Sequence, residues 1–350
     1  MDIYGQIESI QYKPILAQYS YNEYELSDLG EALDNTTFLL NHSGNKFAFS
    51  RWVSPKRTRS YPFERVYNTM GFPGKRVTVI PIIKDEGVDG ERDYLQWDTI
   101  SLMSLMDVYI ILAYYDKAEK NMKYSNKITN QRLDVDYIRN RFNLLLSFHS
   151  NAFHWNMAKI DNVESLMNTA IEKYRNISGI TGVTMSSEDT ALARIRKLGR
   201  DRDSFMKLSR ELAYTAQQRE SITVQPKEFV TEGEKAAITI SNYQGGYYYL
   251  TADEARIDKN NLYLVEAKHT ASRTLPSLSV IKEGLFKMVL FTNLSTAIVD
   301  NHDYDVVPIL KLTSSKSGNL SDSEQSILEM LHEEANTNGF AVEYTSGGQI

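Results

Sequence analysis

The sequence predicts a mixed α/β (α+β) chain: a mixed β-sheet flanked by helices towards its C-terminal end, preceded by an N-terminal α/β region and a helical one. Three observations carry this expectation. Residues 235–312 hold short apolar runs separated by turn formers and interrupted by one helical segment. Residues 130–220 are mostly of helical period, and FLLNHSGNKFAFSRWV near the start reads as strand, turn and strand. These shifts of pattern divide the chain into residues 1–128, 129–225 and 226–350.

The elements follow from local residue choice. In FLLNHSGNKFAFSRWV the turn falls at Ser43 to Asn45. RVTVIPII is a further strand, and DTISLMSLMDVYIILAYYDKA is too short an apolar run to span a bilayer, so it reads as a buried helix followed by a strand. In LARIRKLGRDRDSFMKLSRELAYTAQQRE the residues Ile195, Leu198, Phe205, Leu208 and Leu212 recur at helical spacing, broken at Gly199, which fits two helices or one kinked helix. AAITI, the turn NYQGG, YYYLTADEARI, a turn at Asp258 to Asn261 and LYLVEAKHT make an antiparallel meander. A helix with Ile281, Leu285, Met288 and Val289 on one apolar face comes next, then the strands STAIV and YDVVPILKL. The Ser-rich TSSKSGNLSDSE is the best linker candidate, followed by a short helix that Ser321 or Asp322 caps.

Composition narrows the chemistry. The 350 residues contain no cysteine, which excludes disulfides, thiolate metal sites and cysteine nucleophiles. MDIYGQIESIQYK lacks the basic and apolar segments of a secretion signal, and no run of about 18 apolar residues occurs, so a cytoplasmic protein without membrane association is expected. The net charge of -6 argues against indiscriminate nucleic-acid binding, but local clusters decide what a polyanion meets.

LYLVEAKHT is the most informative stretch. Alternation along a strand puts Leu264, Glu266 and Lys268 on one face and Val265 and Ala267 on the other. Glu266 and Lys268 either form an ion pair or hold a cation and the water that attacks a phosphate. Asp253 lies on the neighbouring strand, so two carboxylates can converge, and magnesium is commonly held by one or two carboxylates together with waters and phosphate oxygens. Lys268 would then orient the water and offset charge in the transition state.

The ordered set of Asp253, then Glu266-Ala267-Lys268 after a turn, then a helix and a strand, resembles the PD-(D/E)XK nuclease superfamily, which includes most type II restriction endonucleases. Ala252 stands where that motif has proline, and Asp258 is a rival for its first acid. The resemblance covers about residues 230–315 and implies a restriction endonuclease-like core, with Asp253 and Glu266 binding Mg2+ and Lys268 serving the attacking water. It implies a sequence-specific, magnesium-dependent endonuclease acting on double-stranded DNA as a homodimer. The alternatives are a structure-selective repair or recombination nuclease, and a catalytically inert DNA-binding protein. On this reading residues 1–128 recognise DNA, residues 129–225 are a helical region, and residues 226–350 are the nuclease core with its tail. An additional acid often enters such sites from before the meander, and Glu234, with Glu232 behind it, is the nearest candidate.

Two segments are candidates for DNA contact. In SRWVSPKRTRSYPFERVY the residues Arg51, Lys56, Arg57, Arg59 and Arg65 gather around a single acid, with aromatics interleaved. In TAQQRESITVQPKE the residues Gln217, Gln218, Arg219 and Gln225 precede the meander, and glutamine amides can pair with adenine. The acidic KDEGVDGERDYLQWD departs from EF-hand spacing, and His149, His154 and His269 read as structural.

Overall fold

The structure is a computed structural model that describes all residues except 18–20, 56–60, 160–161, 199–201, 223–232 and 348–350. Lys56, Arg57, Arg59, Gln225 and Glu232, singled out above, lie outside the described residues, as does the side chain of Arg219. The chain forms two compact units, one of Met1–Tyr19 with Glu211–Ile350 and the other of Ser20–Arg210. The boundaries expected at residues 128 and 225 are not those of the units: the first strand, β1 (Asp2–Ile7), belongs with the C-terminal sheet, and residues 129–210 belong with the residues before them. A strand that pairs across more than two hundred residues leaves no local signature.

The unit of residues 20–210 holds β2 (Glu23–Glu25), α1 (Leu29–Ala32), β3 (Thr37–His42), β4 (Asn45–Arg51), α2 (Tyr61–Thr69) and β5 (Arg76–Pro81). It continues with β6 (Ile83–Asp85), β7 (Arg92–Tyr94), α3 (Trp97–Leu105), β8 (Val108–Ala113), β9 (Tyr115–Lys120), β10 (Ile128–Leu133), α4 (Val135–Leu146), α5 (Ala152–Met157), α6 (Val163–Thr181), α7 (Glu188–Leu198) and the start of α8 (Arg202–Ile222). Its main sheet has the order β2-β3-β4-β5-β8, with β3 and β4 antiparallel and the other neighbours parallel. The β3–β4 turn has positive φ at Ser43 and Gly44, the conformation a tight hairpin demands. Phe142 of α4 packs edge-on against Phe47 and Phe49 with ring centroids 5.0 and 5.3 Å apart, seating that helix on the sheet. Of the segment with the broken helical pattern, the described residues form α7 and α8 on either side of residues 199–201.

The other unit holds β1 and β11 (Glu234–Asn242), β12 (Tyr247–Asp258), β13 (Asn261–Thr270), α9 (Leu278–Phe291), β14 (Thr296–Val299), β15 (His302–Asp303), β16 (Asp305–Ser314), α10 (Asp322–Asn338) and β17 (Ala341–Ser346). The sheet order is β15-β14-β1-β11-β12-β13-β16-β17. The meander β11-β12-β13 is antiparallel, while β13-β16 and β16-β17 are parallel and need helical crossovers, which α9 and α10 supply. Ile281, Leu285, Met288 and Val289 of α9 are all buried, as their spacing requires. A Cβ at Gly284 would stand 2.7 Å from Leu310 Cδ1 and 3.3 Å from the Lys268 side chain, so glycine is what lets α9 lie this close to β13 and β16. α10 runs longer than the short helix expected and begins with a capping box between Ser321 and Glu324. Its buried Glu334 accepts hydrogen bonds from Tyr12 Oη and the amides of Ile15 and Leu16, each at 2.7 Å, which fastens the segment after β1 to this unit.

Candidate functional site

The site forms where the meander departs from regular pairing. Between β11 and β12 the partners run Ala237 with Thr251, Ala236 with Ala252, then Glu234 with Ala255, so two steps along β11 oppose three along β12. Asp253 and Glu254 are the residues in that bulge. On its other side β12 pairs with β13 from Asp258 and Asn261 up to Glu254 and Val265. One step further the Ala267 amide donates to Asp253 Oδ2 at 2.7 Å, so a carboxylate takes the place of a strand carbonyl. The Asp253 carboxylate is thereby held against the peptide group between Glu266 and Ala267.

Glu266 is buried, only 2% exposed, and both of its oxygens carry a cation. Lys268 Nζ lies 2.8 Å from Oε1, and Lys287 Nζ, from α9, lies 2.5 Å from Oε2. Lys287 also donates to the Thr251 carbonyl at 2.8 Å, tying β12 to β13 beside the bulge. Burial pushes the Glu266 carboxyl up, but the ammonium groups of Lys287 and Lys268 outweigh it and hold the carboxyl below its ordinary value. The carboxylate is therefore ionised and balanced by more than one positive charge. The sequence pairs Glu266 with Lys268 through strand alternation; Lys287 enters only through packing of α9. The available signal was a single lysine within the apolar run GLFKMVLF.

Asp253 and Glu266 offer two hard carboxylates at one peptide, the donor chemistry that magnesium takes with waters and phosphate oxygens. Glu234 does not extend this pair. It is 64% exposed at the head of β11 and lies 3.1 Å from the amino-terminal ammonium. Among the described residues no three His, Asp or Glu side chains gather to hold a metal, which corrects the three-acid set of Asp253, Glu266 and Glu234. His269 bonds through its two ring nitrogens with Thr313 and Ser315, at 2.9 and 3.1 Å, so it serves the β13–β16 contact. In the acidic stretch, Asp85 is fully buried, accepts at Oδ1 from the Gly87 amide and the Ser186 hydroxyl, and has Oδ2 2.8 Å from Arg92 Nε as an ion pair.

The described residues expected to meet DNA bond to other protein groups. Gln217 is buried and its amide donates to the carbonyls of Ile238 and Leu250 at 3.0 and 2.8 Å, bracing β11 and β12. This corrects its assignment to a groove edge: the amide is spent inside the unit. Gln218 is exposed and bonded to the Tyr214 hydroxyl. Arg51 and Arg65 are half-buried; Arg65 donates to the Arg51 carbonyl at 2.7 Å, and Arg51 Nε to that of Asn35 at 3.4 Å. Among the described residues no helix is long and apolar enough to cross a membrane. The chain matches no family model, no curated protein and no solved structure.

Proposed function

We propose that the protein is a magnesium-dependent endonuclease of the type II restriction kind that hydrolyses phosphodiester bonds in double-stranded DNA. The observation that carries this reading is the bulge in β12, which sets the Asp253 carboxylate against the Ala267 amide, between Glu266 and Lys268. The order of the unit supports it as well: an antiparallel meander, a helix, and a strand parallel to the meander's last strand. Asp253 and Glu266 would hold the ion. When bound, magnesium supplies Lewis acidity towards water and the phosphate oxygens. Lys268 places its Nζ beside Glu266, orients the attacking water, and offsets the charge that builds on the phosphate. Burial of Glu266 keeps bulk water from competing for its oxygens. A cytoplasmic homodimer acting on a two-fold DNA site completes the proposal, since protein and DNA symmetry then coincide.

A second reading is favoured by one observation: both oxygens of Glu266 are taken by lysines, an arrangement that is complete without an ion and suits an inert DNA-binding protein. Plasmid incubation with and without magnesium separates the readings. Discrete magnesium-dependent fragments are expected, and Glu266→Ala or Lys268→Ala should abolish them while DNA binding persists. A smear of products points to a structure-selective or general nuclease, and intact plasmid to the inert protein. Cleavage at the normal rate by either variant overturns the site assignment.

A further inference from the structure

In the unit of residues 20–210, two cations meet at one crevice without a carboxylate between them. Arg141 of α4 sits over the Tyr137 ring, its guanidinium carbon 4.9 Å from the centroid, and Lys159, just beyond α5, holds Nζ 3.4 Å from the Trp155 centroid. Both side chains are half-buried and line the same crevice with Asn162 and Leu112. The acids at the head of α4 are engaged elsewhere, Asp136 with Arg139 at 2.6 Å and Asp134 with Lys173 at 3.3 Å. Neither Arg141 nor Lys159 forms an ion pair among the described residues. Burial and the neighbouring Arg141 both lower the Lys159 ammonium from its ordinary value, so each cation makes the other costlier.

The backbone adds a donor. β8 is the edge strand of the main sheet, and α5 closes its outer edge at Ile110, whose amide donates to Asn156 Oδ1 and whose carbonyl accepts from the Trp155 indole. Strand alternation turns the amide of Leu112, two residues on, to that same outer side, where the crevice lies. Two fixed cations, a side-chain amide and a strand amide around one opening are the elements of a phosphate site. The crevice itself is narrow, about 20 Å³, so the anion would rest at its mouth between the cations.

We propose that Arg141 and Lys159 form a binding site for one phosphate group, held at the mouth of this crevice with help from Asn162 and the Leu112 amide. The site is independent of the nuclease reading, and the phosphate can be a free anion or one phosphodiester of a nucleic acid.

The test is titration of the full chain with inorganic phosphate at constant ionic strength, followed by calorimetry and by tryptophan emission, since Lys159 lies on Trp155. Saturable binding is expected. Arg141→Gln and Lys159→Gln should each weaken it about tenfold or more, the effect of removing one charged donor, while Lys159→Arg retains it. A second arm measures binding of a short DNA duplex against salt. A salt slope reduced by roughly one for each lost cation assigns the phosphate to a nucleic-acid backbone, and an unchanged slope assigns it to a free anion. Phosphate binding that is absent from the folded wild type, or equal in the wild type and both Gln variants, overturns the proposal.

Discussion

Lys287→Met tests the architecture of the Glu266 site most directly. The substitution keeps the apolar stem and removes the ammonium that lies 2.5 Å from Glu266 Oε2 and 2.8 Å from the Thr251 carbonyl. Removing one partner of a buried ion pair costs about 3–5 kcal/mol, because the remaining charge is left without compensation. Lys268 stays on Oε1 at 2.8 Å, so the lower end of that range is expected. The three tryptophans, Trp52, Trp97 and Trp155, all lie in the unit of residues 20–210, so their fluorescence does not report on this site. Hydrogen exchange of peptides from β12 and β13 does, and a loss of about 3 kcal/mol speeds exchange there roughly 100-fold. The pH dependence supplies a second check. Because the folded carboxyl of Glu266 is held below its ordinary value, its contribution is complete above the unfolded pKa and is lost as pH falls through the folded one. Without Lys287 the folded value rises, and the acid limb of stability moves to higher pH. Exchange within twofold of wild type, or an acid limb that does not move, refutes the reasoning.

Two further outcomes follow from other residues. Gln217→Leu leaves two strand carbonyls without their donor and should lower stability by about 1–3 kcal/mol with no change in DNA affinity; weaker DNA binding at unchanged stability would restore Gln217 to the DNA surface. The Ser321 amide, then the hydroxyls of Thr274 and Ser321, hold the Glu324 carboxyl down to about 2, so its contribution to the α10 cap is full above the ordinary carboxylate range and fades as pH falls towards that value. Ser321→Ala keeps the amide but removes the hydroxyl, so it should raise the Glu324 titration midpoint, read by NMR, and cost about 1 kcal/mol; an unshifted midpoint would show that the Ser321 hydroxyl does not help set it.

Much of this protein was legible in local sequence. The turns at Ser43 to Asn45 and Asp258 to Asn261, the apolar face of α9 and the cap at Ser321 each follow from neighbours a few residues away, because backbone conformation and side-chain period are local properties. Strand alternation likewise places Glu266 and Lys268 together. The tertiary structure alone decided that β1 joins β11, that Lys287 rather than Glu234 closes on the Glu266 side, that Gln217 faces inward, and that a bulge turns Asp253 towards Ala267. Each of these is a meeting of side chains or strands from distant parts of the chain. Such meetings depend on how helices and strands pack, and packing leaves no period in the sequence to read.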